Sequence, residues 1–276
     1  MARPDTPENN AQIKDKMPDY MQDLANNSTE IAHIDRFYHS PNGRLLAHLI
    51  RSHLPPLAIP KDNHLDDRLT IGFGYPFMCL PSDLPMPVMI PSEMGALARG
   101  VQGKVTSATI ESHHWPLASD CANQIIICHG LEYCYDAEAA LAEAHRVLTS
   151  AGSLLLLVAN RASLWVRDES TPFGHGRPFS KAQITKLLRK TGFEISSVRR
   201  CVFLPPMAMR LPFKMAMMTD HIGHYGWGLF GGAMIIEASK LTYASPKQRV
   251  MPSKPVLSGL LRPTVENQTS RTLQTK

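Results

Sequence analysis

Cysteine is scarce in this chain: five residues in 276, at positions 79, 121, 128, 134 and 201, odd in number and with no C-x-x-C pair. That excludes a disulfide-stapled scaffold and fits a reduced compartment, so a cytoplasmic protein is expected. Long apolar runs are also missing, and none reaches the ~18 residues of a membrane-spanning helix. Met1-Ala2-Arg3-Pro4-Asp5 opens no apolar stretch, so no secretory leader is expected. Aromatic residues make up only 7% and charged residues 19%. The hydrophobic share of 43% still supplies core for one large domain or two small ones. It excludes a wholly disordered or collagen-like chain. No G-x-S-x-G, G-x-x-x-x-G-K-[ST] or H-E-x-x-H occurs, which counts against a hydrolase with one of those sites.

What is present is unevenly charged. The net charge is +5, yet Ser245 to Lys276 alone carries +5, Met1 to Glu30 carries −3, and the stretch between them +3. The basic character therefore belongs mainly to a polar tail rather than to a folded stripe, and nucleic acid is not an expected partner. The composition divides the chain into a disordered N-terminal segment 1–30, a folded domain 31–244 and a disordered basic tail 245–276.

Within the domain, Ser40-Pro41-Asn42-Gly43 reads as a turn. Leu45, Leu46, Leu49 and Ile50 have the spacing of a helix that ends before Pro55-Pro56. Leu69 to Phe73 is a short apolar run broken by Gly72 and Gly74. Five prolines between Tyr75 and Pro91 confine any helix from Pro76 to about two turns, ending at Pro81. Val88 to Ile90 suits a short strand and Ser92 to Ala98 a short helix. The clearest signal follows. Ile125 to Cys128 is a buried strand, Asp136 caps a helix to about Leu148, and, after Gly152, Ser153 to Val158 is a second apolar strand. Strand, helix and strand with short links make a βαβ unit and a parallel sheet. Ser180 caps a further helix, about Lys181 to Thr191, and strands follow at Phe193 to Val198 and Ala233 to Ala238. The pattern as a whole is α/β and doubly wound.

Several blocks carry more than a fold. Leu131-Glu132-Tyr133, Asp136 to Leu141, His145-Arg146-Val147-Leu148, Arg177-Pro178-Phe179-Ser180 and Thr191-Gly192-Phe193-Glu194 occur in this order. Together they resemble the class I S-adenosylmethionine-dependent methyltransferases, nearest to the type 11 small-molecule branch, from about Leu69 to Val198. The resemblance implies a Rossmann-like, mostly parallel sheet of about seven strands with helices on both faces. It also implies transfer of a methyl group from S-adenosylmethionine to a small-molecule or lipid-like acceptor. The family's cofactor loop reads acid-x-Gly-x-Gly-x-Gly. Here Thr70-Ile71-Gly72-Phe73-Gly74-Tyr75-Pro76 stands in its place, keeping Gly72 and Gly74 but exchanging the acid for Thr70 and the third glycine for Pro76. The ribose-binding acid falls at Pro91, with Glu93 two residues on, and the adenine-side position falls at Glu111-Ser112, before Trp115-Pro116-Leu117. Cofactor contacts are thus expected from Gly72, Gly74, Glu93, Glu111, Ser112, Trp115 and His129.

Each candidate has a plainer reading beside it. Gly72 and Gly74 also suit a tight turn, and Glu93 a solvated first turn of a helix. Ligands of this fold gather at the carboxyl ends of strands. That rule brings in His129 and Glu132 after one strand, and Asn160, Arg161 and Trp165 after the next, as cofactor or substrate contacts. His175 in the loop Thr171 to Arg177 is the candidate catalytic base, and Arg177 a candidate partner for an acidic substrate group. A loop histidine is equally a solvated one. His113, His114, Cys121, Cys128, His129 and Cys134 lack the paired spacing of a zinc site, so no metal is expected. Met207 to Met218 reads either as a cover over an apolar substrate or as a peripheral core helix. Ile222 to Ile236 is apolar but too short to span a membrane. The departures at Thr70, Pro76 and Pro91 keep a second function open: a non-catalytic methyltransferase-like scaffold for a protein partner or another ligand.

Overall fold

Ile125 to Ile127 and Leu154 to Val158 pair as neighbouring parallel strands in the middle of a seven-stranded sheet. Side chains that are apolar on both faces of a strand need cover on both sides, and crossover helices supply it. The computed structural model describes residues 30–55, 69–79, 86–97, 100–101, 104–226 and 228–240. The N-terminal segment up to residue 29 and the basic tail lie outside the described residues.

Residues 30–39 form helix α1, and Pro41–His53 helix α2. Strands β1 (Thr70–Gly74) and β2 (Val88–Pro91) follow, then a two-residue pair β3 (Gly100–Val101) and β4 (Lys104–Val105), and β5 (Ser107–Ile110). Strand β6 (Ala122–Cys128), helix α3 (Ala137–Val147) and strand β7 (Leu148–Ala159) make the βαβ unit. Helix α4 (Lys181–Lys190), strand β8 (Phe193–Cys201), helix α5 (Phe213–Gly226) and strand β9 (Ala233–Lys240) complete the described chain. The sheet order is β5-β2-β1-β6-β7-β9-β8, and β9 runs antiparallel to both of its neighbours. Strand order reverses beside β1, which pairs with β2 on one side and β6 on the other. In a doubly wound sheet a crevice opens at that switch point, outside the carboxyl ends of the strands.

Alternation along the central strands builds two cores. Ile126, Cys128, Leu155 and Leu157 join α1, α2, Trp165 and Phe173 on one face. Ile125, Ile127, Leu154, Leu156 and Val158 join α3, α4 and Trp115 on the other. Local capping chemistry sets the helix starts. Asp136 accepts the Glu138 and Ala139 amides, and Ser180 with Gln183 forms a reciprocal capping box.

Two local expectations are corrected and a third holds. Ser40-Pro41-Asn42-Gly43 is a helix start rather than a turn: Ser40 accepts the Gly43 amide and Pro41 takes the first helical position, where its missing N–H is harmless. Ser92 to Ala98 yields only a 3-10 turn, Ser92–Met94, because Gly95 follows at φ +93° and leaves the helical region. Gly152 does punctuate the chain: β7 bulges between Leu148, which pairs with Ala122, and Ser153, which pairs with Gln124, and a Cβ on Gly152 would meet Leu148 Cγ at 2.6 Å. Among the described residues no helix is long and apolar enough to cross a membrane.

Candidate functional site

The carboxyl ends of β1, β2, β5, β6 and β7 share one edge of the sheet, and most of the chemistry-bearing residues collect there. At β1 the glycines serve the chain's own packing. A Cβ on Gly72 would meet Pro76 Cγ at 2.6 Å and Met86 Cε at 2.7 Å. Gly74 adopts φ +82°, and a Cβ there would run into the Cys128 carbonyl oxygen and Gly130 Cα. That close approach lets the Tyr75 amide donate to the Cys128 carbonyl at 2.6 Å. The Tyr75 ring then turns inward, stacks on Tyr38 at 5.6 Å, and its hydroxyl donates to Asp35 at 2.8 Å. Thr70, in the family's acidic position, is buried and its hydroxyl has no partner among the described residues.

At the end of β2, Glu93 is half-buried and accepts the Ser112 hydroxyl at 2.5 Å. The Tyr135 amide approaches the same oxygen at 3.5 Å. Ser112 is buried, whereas its neighbour Glu111 is exposed and faces His113 at 3.5 Å. Trp115 is buried against Phe73, with centroids 4.9 Å apart, and its indole donates to the Ser112 carbonyl at 3.0 Å. Its amide donates to Glu143, which Arg146 grips through two hydrogen bonds of 2.8 Å. Those Arg146 hydrogen bonds, with burial opposing them, hold the Glu143 carboxyl below its usual range.

At the end of β6, His129 is fully buried at φ +48°. Its Nε2 lies 2.7 Å from the Tyr38 hydroxyl, and its Nδ1 lies 3.7 Å from Glu132 Oε1. Glu132 is also buried; Oε1 accepts the Ala159 amide at 2.8 Å, while Oε2 has no partner among the described residues. The buried Tyr133 hydroxyl is likewise unpaired, and burial, with Glu30 and Glu132 nearby, raises its pKa strongly. Cys128 lies 3.5 Å from the Cys79 sulfur; that hydrogen bond and burial push its thiol pKa up, so it packs as an unreactive group. Among the described residues no group of three or more His, Cys, Asp and Glu could hold a metal ion.

Beyond β7, Asn160 and Trp165 face inward as braces. Asn160 donates to the Gly231 carbonyl at 2.8 Å, and the Trp165 indole donates to the Leu204 carbonyl at 2.8 Å. Arg161 and Arg177 instead share an open groove of about 640 Å³ with Lys186 and Lys190. His175 has one nitrogen, Nε2, 2.6 Å from the Glu169 carbonyl and the other, Nδ1, 3.4 Å from Glu30. The structure thus brings Glu93 together with Ser112, His129 with Glu132, and Arg161 with Arg177. Glu111 and His175 stand apart from those pairs. Tyr38, Tyr75 and Asp35 were not candidates in the sequence, because helix α1 gives no sign of its packing onto the β1 and β6 loops.

The sequence matches no protein-family model and no curated protein. Solved structures do share its fold. A Thermotoga maritima S-adenosylmethionine-dependent methyltransferase, described as a possible histamine N-methyltransferase, superposes with a TM-score of 0.51 at 20% identity. That match covers 75% of this chain and 93% of the other. Geranyl diphosphate methyltransferase, in complex with geranyl diphosphate and sinefungin, gives 0.50 at 14% identity, over 82% of this chain and 100% of the other. A protein assigned as a methyltransferase, in complex with the Haloferax volcanii Trm112 methyltransferase activator, gives 0.50 at 14% identity over 80% and 96%. With its strand order, antiparallel β9 and switch point beside β1, the chain has the class I S-adenosylmethionine-dependent methyltransferase fold.

Proposed function

We propose that this chain transfers the methyl group of S-adenosylmethionine to a small-molecule or lipid-like acceptor. One observation carries the reading beyond the fold. Glu93, two residues past the end of β2, is braced by Ser112 with its carboxylate beside the switch point. A carboxylate there suits the ribose hydroxyls of a nucleoside cofactor, as charge-assisted hydrogen bonds to two hydroxyls need both of its oxygens. Ser112 and Trp115 are the companions at the adenine side, and Gly72, Gly74 and His129 border the methionine side. There the chain offers the Thr70 hydroxyl instead of a carboxylate.

When bound, the cofactor supplies an electrophilic methyl group. The chain's residues hold the acceptor in line and keep water out, for which the buried Tyr38, Phe173 and Trp165 provide apolar walls. His175 is the candidate base. With Nε2 donating to the Glu169 carbonyl, Nδ1 is the nitrogen left to take a proton, and it lies 3.4 Å from the Glu30 carboxylate. Arg161 and Arg177 suit an acidic group on the acceptor.

A second reading, a non-catalytic scaffold for a protein partner or another ligand, is favoured by a specific feature. The space above Gly72 and Gly74 is taken by Pro76, Met86 and the Cys128–Gly130 backbone, all belonging to the chain itself. Calorimetry separates the two. Heat of binding with S-adenosylmethionine and with S-adenosylhomocysteine supports the enzyme. No heat with either ligand from a folded chain rejects it in favour of the scaffold.

A further inference from the structure

Helix α5 is packed inside out. Its buried positions are Ala216, Asp220 and Gly223, which are small or polar, and Met217 is half-buried against the core, while Phe213, Met215, Met218, Ile222 and Tyr225 are exposed. Met215, Met218, Ile222 and Tyr225 follow one another at three- and four-residue intervals, so they form one stripe along the helix. Of the ten large apolar side chains exposed among the described residues, eight fall between Met207 and Phe230. Met207, Met218, Tyr225 and Leu229 keep between 65% and 79% of their surface exposed. Isolated exposed apolar residues need no explanation, but a contiguous patch of this kind marks an interaction surface.

Among the described residues of 206–230 and α2, the exposed charges have one sign. Arg210 and Lys214 stand exposed at its start. The sole carboxylate between residues 206 and 230 is Asp220, which is buried and accepts the Leu204 amide at 2.8 Å. Helix α2 adjoins the patch through His48, whose ring meets Phe213 at 5.4 Å. Its exposed positions Arg44, His48 and Arg51 form a basic stripe, and α2 contains no acidic residue. An apolar, aromatic-bearing face bordered by cations, with no exposed carboxylate among the described residues of 206–230 and α2, complements one kind of surface: a bilayer with anionic headgroups.

We propose that the β8–β9 crossover, residues 202–232, docks on an anionic lipid surface, with α5 lying in the headgroup layer and Arg44, Arg51, Arg210 and Lys214 facing the lipid charges. The crossover leaves β8 and enters β9 at Ala233, which pairs with Ala159 at the carboxyl end of β7. The docked face is therefore at the same edge of the sheet as the candidate site, which suits a lipid-like acceptor. The docking itself does not depend on methyl transfer and is tested without it.

The test is flotation of the full chain with vesicles of phosphatidylcholine alone and of phosphatidylcholine mixed with phosphatidylglycerol. The chain should float with the mixed vesicles and much less with the neutral ones, and added salt should weaken the binding. Arg210→Gln with Lys214→Gln should lower the affinity by about thirtyfold, from roughly 1 kcal/mol per basic residue near an anionic surface. Met218→Asp with Ile222→Asp should lower it at least about tenfold with the melting temperature unchanged, since both side chains are already in water. Failure to bind the mixed vesicles overturns the proposal. So does unaltered binding by the folded Met218→Asp, Ile222→Asp variant, which would assign the attraction to the basic segment 245–276. Self-association of the wild type, lost in that variant and unaccompanied by vesicle binding, would make the occupant a second copy of the chain.

Discussion

The Tyr38 hydroxyl lies 2.7 Å from His129 Nε2, in the buried core, joining helix α1 to the loop that follows β6. The other ring nitrogen, Nδ1, faces Glu132 Oε1 at 3.7 Å. A helix contributed from outside the sheet thus supplies the hydrogen-bond partner of a buried histidine at the carboxyl edge. Burial raises the Tyr38 pKa well above that of a free phenol, so the hydroxyl stays neutral.

Tyr38→Phe keeps the ring and removes only the hydroxyl, leaving His129 Nε2 buried without this partner. The expected cost is about 1–3 kcal/mol, or a fall in melting temperature of roughly 2–12 °C for a domain of this size. Differential scanning calorimetry measures it, and an unchanged midpoint would mean that the contact contributes nothing to stability.

Gly74→Ala places a side chain at φ +82° against the Cys128 carbonyl and Gly130. The strain alone amounts to about 1–3 kcal/mol. The loss should appear in urea unfolding of the ligand-free chain, because the obstruction is the protein itself. Gly226→Ala, with nothing within 4 Å of the added carbon, is the matched control and should be nearly neutral.

The two glutamates of the nucleoside side should behave differently. Glu93→Ala removes the partner of the Ser112 hydroxyl and should weaken S-adenosylmethionine by about 5- to 150-fold. Glu111→Ala removes an exposed side chain paired only with exposed His113 and should leave affinity nearly unchanged. Titration calorimetry on both variants decides; equal effects would contradict the assignment of the ribose contact to Glu93.

Acid should destabilise the fold in two stages. His33 and His145 titrate below the usual 6.5, first because of burial, with His175 adding to the first and Lys240 to the second. Their unfolded forms bind protons more readily than their folded forms. Their contribution to stability is thus complete above 6.5 and lost as pH falls from there through the folded values. Glu143, held low by Arg146, contributes above 4.5 and is lost further down. Urea midpoints should fall steadily between about pH 7 and 4. His145→Gln should flatten the upper part of that fall and leave the lower part intact.

The sequence by itself determined the elements whose signals are local. Ile125 to Ile127 and Leu154 to Val158 are strands because only a position covered on both faces accommodates unbroken branched side chains. Asp136 and Ser180 mark helix starts because their oxygens satisfy amides that have no partner within the helix. Those same elements identify the sheet edge where ligands gather, which is why His129 and Glu132 were legible as candidates, whereas Glu93 and Ser112 were legible only through the family resemblance. Tertiary structure alone decided what each candidate touches. Tyr38 reaches His129 across 91 residues, and Tyr75 reaches Asp35 across 40, contacts that exist only after loops close and α1 docks. Gly72 and Gly74 have the spacing of a cofactor loop, but only the folded chain shows that their missing side chains make room for Pro76, Met86 and Gly130. Helix α5 shows the same division of labour. Its stripe of Met215, Met218, Ile222 and Tyr225 is a core pattern in sequence, and which way the stripe faces was settled by Asp220, whose buried bond to the Leu204 amide turns the opposite side of the helix inward.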